Sequence, residues 1–171
     1  VDTFAALSSG AYSLAESYLY TIEAMQDYYH TLTDNGVVSI NRWLFDPPRE
    51  TLRLAVTMDF ALRDLDVQNP EDHIYIIEGS GWANTMMKHQ PFTEDECRLL
   101  REFARKWEYN TVYDPHMPQD NAFNHYFRKD ADDKAQMLSE YPFRISPCYD
   151  NKPFFFQWYR LDTQYQLKWR P

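Results

Sequence analysis

The clearest structural signal in this chain is the stretch His73-Ile74-Tyr75-Ile76-Ile77-Glu78, followed by Gly79-Ser80-Gly81 and Trp82-Ala83-Asn84-Thr85-Met86-Met87-Lys88. Its first part is short and mostly apolar, which is typical of a buried strand. The glycine-serine-glycine segment predicts a turn, after which the chain returns as a second strand. We therefore expect an antiparallel pair of strands here.

Upstream of this pair the sequence predicts a helix, a strand and a second helix. Ser13-Leu14-Ala15-Glu16 is a capping box, and the helix that it opens ends where Gly36 takes a left-handed conformation. Val37 to Trp43 has the composition of a strand, and Asp46-Pro47-Pro48 opens the next helix. This alternation predicts a mostly parallel sheet. The buried faces are predicted to carry Leu14, Tyr18, Ile22, Met25, Tyr29 and Leu32 in the first helix, and Leu54, Met58, Leu62 and Leu65 in the second.

After Pro91 the predicted elements change from alternating helices and strands to mainly helices. A second capping box, Thr93-Glu94-Asp95-Glu96, predicts a helix that reaches about Trp107. A short strand is expected over 109–113, and a broken helical region over 121–141. The last thirty residues are rich in aromatic side chains, and core packing is the expected role of Phe154 to Phe156. The side chains predicted to face inward from the helix are Leu100, Phe103, Ala104 and Trp107.

Charge and composition exclude several classes of function. The 171-residue chain has a net charge of −9, which disfavours nucleic acid as a partner and favours a cationic substrate, although acidity also simply keeps a protein in solution. It has only four glycines, so a dinucleotide-binding loop or a Walker A loop is absent from it. The two cysteines have no partner motif, which indicates a reduced compartment.

Few residues stand out as candidates for chemistry. Asp2 precedes a loop at what reads as the carboxyl end of a strand, where it would accept a proton from an amine or would only start the loop. The spacing of His116 and His125, near Asp114 and Asp120, matches no metal motif, so loop-surface roles are expected. Cys97 has no activating neighbour. An acidic first helical turn, rather than a calcium loop, is predicted for Asp130, Asp132 and Asp133.

The segment from Asp2 to Tyr18 resembles the loop and helix that follow the fourth strand in spermidine synthases. A more extensive similarity is to bacterial spermidine-synthase-like membrane proteins, in which a multi-helix membrane part is joined to a soluble transferase-like domain. The similar segments are Asp2-Thr3-Phe4-Ala5-Ala6, Gly10-Ala11, Glu16 to Thr21, Arg42-Trp43, Asp46-Pro47-Pro48-Arg49-Glu50 and Asp150 to Phe156.

The resemblance implies an α/β fold with a partial Rossmann-like sheet of the class I methyltransferase and spermidine synthase type. Residues 1–90 would be the C-terminal half of that transferase domain, and residues 91–171 an appended helical, aromatic-rich α+β extension. Asp2 would be the base that deprotonates an attacking amine. The co-substrate of the intact parent would be decarboxylated S-adenosylmethionine or S-adenosylmethionine itself. Ala5 and Ala6 stand where the family's loop has its second Asp and its proline.

The resemblance also implies a parent protein in the bacterial inner membrane, with this part soluble on the cytoplasmic side. The family's glycine-rich, nucleotide-holding segment precedes Asp2, so we expect the fragment by itself to bind no cofactor and to be inactive without the missing N-terminal half of the domain. The alternatives are a non-catalytic module that kept the fold and an interaction domain of a membrane protein. An incomplete sheet predicts self-association, for example as a homodimer.

Overall fold

Four strands form one sheet in the computed structural model, which describes residues 15–160. The strands are β1 (Val37–Trp43), β2 (Ile74–Gly79), β3 (Trp82–Lys88) and β4 (Asn110–Tyr113), and their order across the sheet is β1-β3-β2-β4. All three neighbouring pairs are antiparallel, so the prediction of a mostly parallel sheet is wrong for the described residues. The fold is a mixed α/β arrangement with an antiparallel sheet.

The predicted hairpin explains this difference. A two-residue turn joins β2 to β3, with positive φ angles of 55° at Ser80 and 81° at Gly81. Two such residues make the type I′ turn that suits the twist of a hairpin. The returning strand β3 inserts between β1 and β2, so these two strands run in the same direction without pairing. Sequence alternation alone does not reveal such an insertion.

Five α-helices accompany the sheet in the described part of the chain. They are α1 (Ile22–Thr31), α2 (Glu50–Asp64), α3 (Glu94–Lys106), α4 (Ala122–Phe127) and α5 (Ala131–Glu140). Two short 3-10 segments cover Tyr18–Tyr20 and Pro70–His73. None of the helices between residues 15 and 160 has the length and apolarity needed to cross a membrane.

The two faces of the sheet bury different helices. Ile74 and Ile76 of β2 share a core with α1, α2, α4 and the segment around Phe155. The intervening residues Tyr75 and Ile77 point the other way and pack with α3. Twelve of the fifteen residues of α2 are buried, which means that neighbours cover this helix on nearly all sides. It is therefore a central helix and not a surface one.

The helix α1 begins later than the capping box at Ser13 predicts. Residues 15–21 are not α-helical, and Tyr18, predicted to be buried, is 52% exposed. Thr21 caps α1 instead, since its hydroxyl accepts a hydrogen bond from the N–H of Ala24 at 3.2 Å. The preceding N–H of Ser17 donates to the carbonyl of Pro153 at 2.7 Å, a remote contact that holds this segment out of the helix. Gly36 lies in a turn without a positive φ, so its predicted left-handed conformation is wrong.

The capping box at Thr93 and Glu96 is confirmed, but part of the predicted inner face of α3 is wrong. Ala104 is buried, whereas Phe103 and Trp107 are 49% and 55% exposed. The inward positions run from Cys97 through Leu100 to Ala104, which leaves the two large aromatic rings in solvent. The strand over 110–113 and the broken helical region are confirmed. Phe155 and Phe156 are core residues as predicted, whereas Phe154 is only half-buried, so the prediction is wrong for that residue.

Candidate functional site

A cleft of about 620 Å³ opens where β1 and β2 end. Trp43 and Gly79, the last residues of these strands, both lie opposite Trp82 of β3, so the two carboxyl ends meet at one level of the sheet. We call this feature the strand-end cleft. It is lined by Leu44, Phe45, Asp46, Pro47, Pro48, Glu78, Asn110, Thr111, Val112, Gln119, Asn121, Ala122, Phe123 and Tyr141.

Glu78 is held in place on the floor of the strand-end cleft. One carboxylate oxygen accepts the N–H of Gly81 at 2.9 Å, and the other accepts Nδ2 of Asn110 at 2.7 Å. One bond ties the carboxylate to the turn between β2 and β3, and the other ties it to the first residue of β4. Each carboxylate oxygen retains a further lone pair for a ligand.

Asp46 is the second carboxylate of the cleft and comes from the loop after β1. Its side chain is exposed, and the loop is fixed by Tyr141, whose hydroxyl donates to the carbonyl of Pro48 at 2.7 Å. Burial raises the pKa of Tyr141 far above its usual value, and the charge of Asp46 adds to this effect. Tyr141 is therefore a neutral phenol at physiological pH.

A buried ion pair anchors the loop that carries Asp46. The guanidinium of Arg42, near the end of β1, donates through Nε and Nη2 to one oxygen of Glu50 at 3.1 and 2.8 Å. It also donates to the hydroxyl of Tyr20 at 3.1 Å. Because Glu50 is the first residue of α2, the pair joins the strand and the helix on either side of the loop.

The strand-end cleft is acidic. It has two carboxylates, and no lysine or arginine lines it. Arg49 is not a lining residue, but it lies beside one wall of the cleft, with its guanidinium carbon 3.9 Å from the ring centroid of Phe45 and close to Phe143 and Trp158. A site with carboxylates, amide groups and an apolar wall from Phe45 and Phe123 suits a cation with an aliphatic chain.

The residues singled out from the sequence lie elsewhere. Asp2, the predicted base, is outside the described residues. The thiol of Cys97 is buried, and burial raises its pKa to about 12. The side chain of His116 bonds to the carbonyl of Phe92 at 2.8 Å, and that of His125 to Asp120 at 2.8 Å. Asp130 caps α5 as an acidic helix start, as predicted.

Sequence reasoning missed both carboxylates of the cleft. The sequence marks the loop containing Asp46 only as a helix start and as part of a resemblance, and it marks Glu78 only as the end of a strand. The signal that would have found them is their position, since each lies at or just after the carboxyl end of a strand.

Comparisons of the chain with protein-family models, with curated proteins and with solved structures found no significant match. The resemblance to spermidine-synthase-like proteins therefore stays a prediction.

Proposed function

We propose that this chain is part of a spermidine-synthase-like transferase and that its amine acceptor binds in the strand-end cleft. The observation that carries the proposal is a pair of carboxylates, Asp46 and Glu78, facing one cleft without a lysine or arginine among the lining residues. An ammonium group entering there would be attracted by both charges. The donor of the intact protein would be of the S-adenosylmethionine type.

The strand order supports the proposal that the sheet is part of a Rossmann-like sheet. The strands β1 and β2 run in the same direction, and α2 crosses between them, which is a β-α-β unit with β3 inserted. In such sheets ligands bind outside the carboxyl ends of the strands, where the cleft lies. The strand β1 is an edge of the described sheet, so a further strand has room to pair with it.

We expect 1,4-diaminobutane to bind the full chain in a calorimetric titration, and 1,4-butanediol, which lacks the charges, to bind far more weakly. The exchange Asp46→Asn weakens diamine binding about three- to fivefold, as exposed charge pairs do. Adding Glu78→Gln to that variant weakens it about tenfold or more, because a half-buried carboxylate is lost as well.

The control for this titration is Asp34→Asn, which removes the same charge from an exposed turn. Its affinity for the diamine is expected to stay within about twofold of the parent chain, since the charge lies outside the cleft. Equal affinities for Asp46→Asn and the parent chain would rule out the cleft as the amine site.

A second candidate function, an interaction module, is favoured by an exposed aromatic surface. The rings of Trp43 and Trp82 lie 3.9 Å apart between centroids, and the two residues are 41% and 37% exposed. Phe103 and Trp107 add two more exposed rings from α3. Exposed aromatic surface of this kind is typical of protein interfaces.

This candidate predicts that the full chain self-associates through the aromatic surface. We expect light scattering to detect a concentration-dependent dimer, and Trp82→Ser to weaken it about tenfold, as the loss of an interface tryptophan does. Leu19→Ser, which removes an exposed apolar side chain outside that surface, serves as the control. A strict monomer at high concentration would count against self-association.

A further inference from the structure

A second cavity, of about 900 Å³, lies between α2, the end of α5 and the segment that follows α5. We call it the arginine cavity. Its lining residues are Arg53, Phe60, Leu138, Arg144, Ser146, Pro147, Tyr149, Asn151, Lys152, Phe154 and Gln157. It shares no lining residue with the strand-end cleft.

The arginine cavity is cationic in an otherwise acidic chain. Three of its lining residues are Arg53, Arg144 and Lys152, and none is an aspartate or glutamate. Acidic residues outnumber basic ones by 26 to 17 in the sequence, so a cluster of cations without a carboxylate is unexpected. In the described part of the chain, none of the three forms an ion pair.

Arg53 is buried in the wall of this cavity and is held in place by hydrogen bonds. The residue is 4% exposed, and its Nε donates to the carbonyl of Ser146 at 2.9 Å. Its Nη1 donates to three carbonyls, including that of Phe155 at 2.6 Å. Its Nη2 makes no hydrogen bond with any described residue and keeps some accessible surface. Because Arg53 lines the cavity, this nitrogen is the donor that Arg53 has left for a ligand.

Arg144 adds a second guanidinium to the same space. Burial lowers the pKa of Arg53, and the positive charge of Arg144 lowers it further. Among the described residues, the Arg144 side chain has no hydrogen-bond partner, and only its backbone N–H bonds, to the carbonyl of Trp158 at 2.7 Å. Two guanidinium groups that repel each other across a cavity are both stabilised when an anion enters between them.

The rest of the wall is aromatic and polar. Phe60, Tyr149 and Phe154 present rings, while the side-chain amides of Asn151 and Gln157 have no hydrogen-bond partner within residues 15–160. Asp150 lies between the lining residues Tyr149 and Asn151, but it does not line the cavity, and its carboxylate accepts the hydroxyl of Thr21 at 2.7 Å. Burial raises the pKa of Tyr149, and the charges of Asp64 and Glu23 add to this effect, although neither acid lines the cavity. Flat ligands stack well on such rings.

We propose that the arginine cavity binds a small organic anion, a phosphate or a carboxylate attached to a flat ring. The guanidinium groups of Arg53 and Arg144 hold the anionic end, and the ring lies against the aromatic wall. Planar guanidinium donors match the oxygens of both kinds of anion. This site is independent of the amine acceptor proposed for the strand-end cleft.

Calorimetric titrations of the full chain test this inference. Phenyl phosphate and benzoate are the two probes, and they distinguish a phosphate site from a carboxylate site. Inorganic phosphate tests the contribution of the ring, and benzyl alcohol that of the charge. We expect one of the aromatic anions to bind saturably, and both inorganic phosphate and benzyl alcohol to bind more weakly.

Arg144 is exposed, so the variant Arg144→Gln is expected to weaken binding of the preferred aromatic anion about three- to fivefold, as the loss of other exposed charge pairs does. Its unfolding midpoint is expected to be unchanged, because the side chain has no partner to lose within the described residues. The matched control is Arg105→Gln, an exposed arginine of α3 outside the cavity, for which the affinity stays within about twofold.

The inference is overturned by no saturable binding of either aromatic anion, by equal binding to Arg144→Gln and the parent chain, or by an equal loss in Arg105→Gln. Equal affinities for inorganic phosphate and phenyl phosphate would also contradict it, because the ring would then contribute nothing. The Asp46→Asn variant separates the two proposals, since it weakens diamine binding and leaves binding of the aromatic anion intact.

Discussion

Replacing Asp59 by alanine lowers the free energy of unfolding by about 3–5 kcal/mol, the usual cost of leaving one member of a buried ion pair alone. Asp59 lies on α2 and is fully buried. One of its oxygens accepts Nζ of Lys134 at 3.1 Å and the hydroxyl of Tyr126 at 2.8 Å. Arg63, one turn further along α2, donates to the same carboxylate at 3.1 Å.

The cost is large because Lys134 is itself 6% exposed. Burial lowers the pKa of this lysine, and the carboxylate of Asp59 opposes that effect. Without Asp59 the ammonium group must stay charged in an apolar site, lose its proton or pull α5 away from α2. Chemical denaturation measured by circular dichroism gives the free energy directly.

Two further variants make the test specific. Asp64→Ala removes an exposed carboxylate from the end of α2 and is expected to change stability by less than about 0.5 kcal/mol. The triple variant Asp59→Leu, Lys134→Met, Tyr126→Phe removes the three buried members of the group and recovers most of the loss, because no buried charge or hydroxyl remains unpaired. Arg63 is retained, but its side chain is 45% exposed and keeps its ion pair with Glu71. If Asp59→Ala lowers the free energy of unfolding by less than about 1 kcal/mol, the conclusion that this network stabilises the contact between α2 and α5 is wrong.

The exchange Arg53→Met lowers the free energy of unfolding by about 3 kcal/mol or more, because several buried carbonyls lose a charged donor at once. Arg53 joins α2 to the carbonyls of Ser146, Phe154, Phe155 and Gln157 through four hydrogen bonds. Methionine retains much of the apolar stem, so the effect isolates the guanidinium.

The readout for Arg53 includes a local measurement. Hydrogen exchange is expected to accelerate in the segment 146–157 in Arg53→Met, since this segment is irregular and is tied to α2 by that side chain. Arg98→Met is the control, because Arg98 forms only exposed ion pairs with Asp95 and Glu102, and it changes stability by less than about 1 kcal/mol. Equal losses in the two variants contradict a special role for Arg53.

Local sequence patterns predicted the individual elements well where neighbours in sequence decide them. The hairpin from β2 to β3 follows from a turn whose residues tolerate positive φ, and the start of α3 from the reciprocal bonds of Thr93 and Glu96. The start of α1 was wrong because Ser17 bonds to Pro153, a contact that no local pattern encodes.

The candidate site was less predictable than the elements around it. Each carboxylate of the strand-end cleft comes from a segment that the sequence assigns correctly, Asp46 after β1 and Glu78 at the end of β2. Their meeting depends on the strand order, which places both carboxyl ends opposite Trp82. The cations of the arginine cavity are likewise far apart in the chain, with Arg53 on α2 and Arg144 after α5.

An acidic α/β chain, the hairpin from β2 to β3, the cap of α3 and the aromatic core segment around Phe155 follow from the amino-acid sequence, since these depend on composition and on residues a few positions apart. The insertion of β3, the burial of α2 on nearly all sides and the separation of charge into one acidic cleft and one cationic cavity become visible when the chain is folded. Those features arise from contacts between remote segments, whose energies compete only when the whole chain packs.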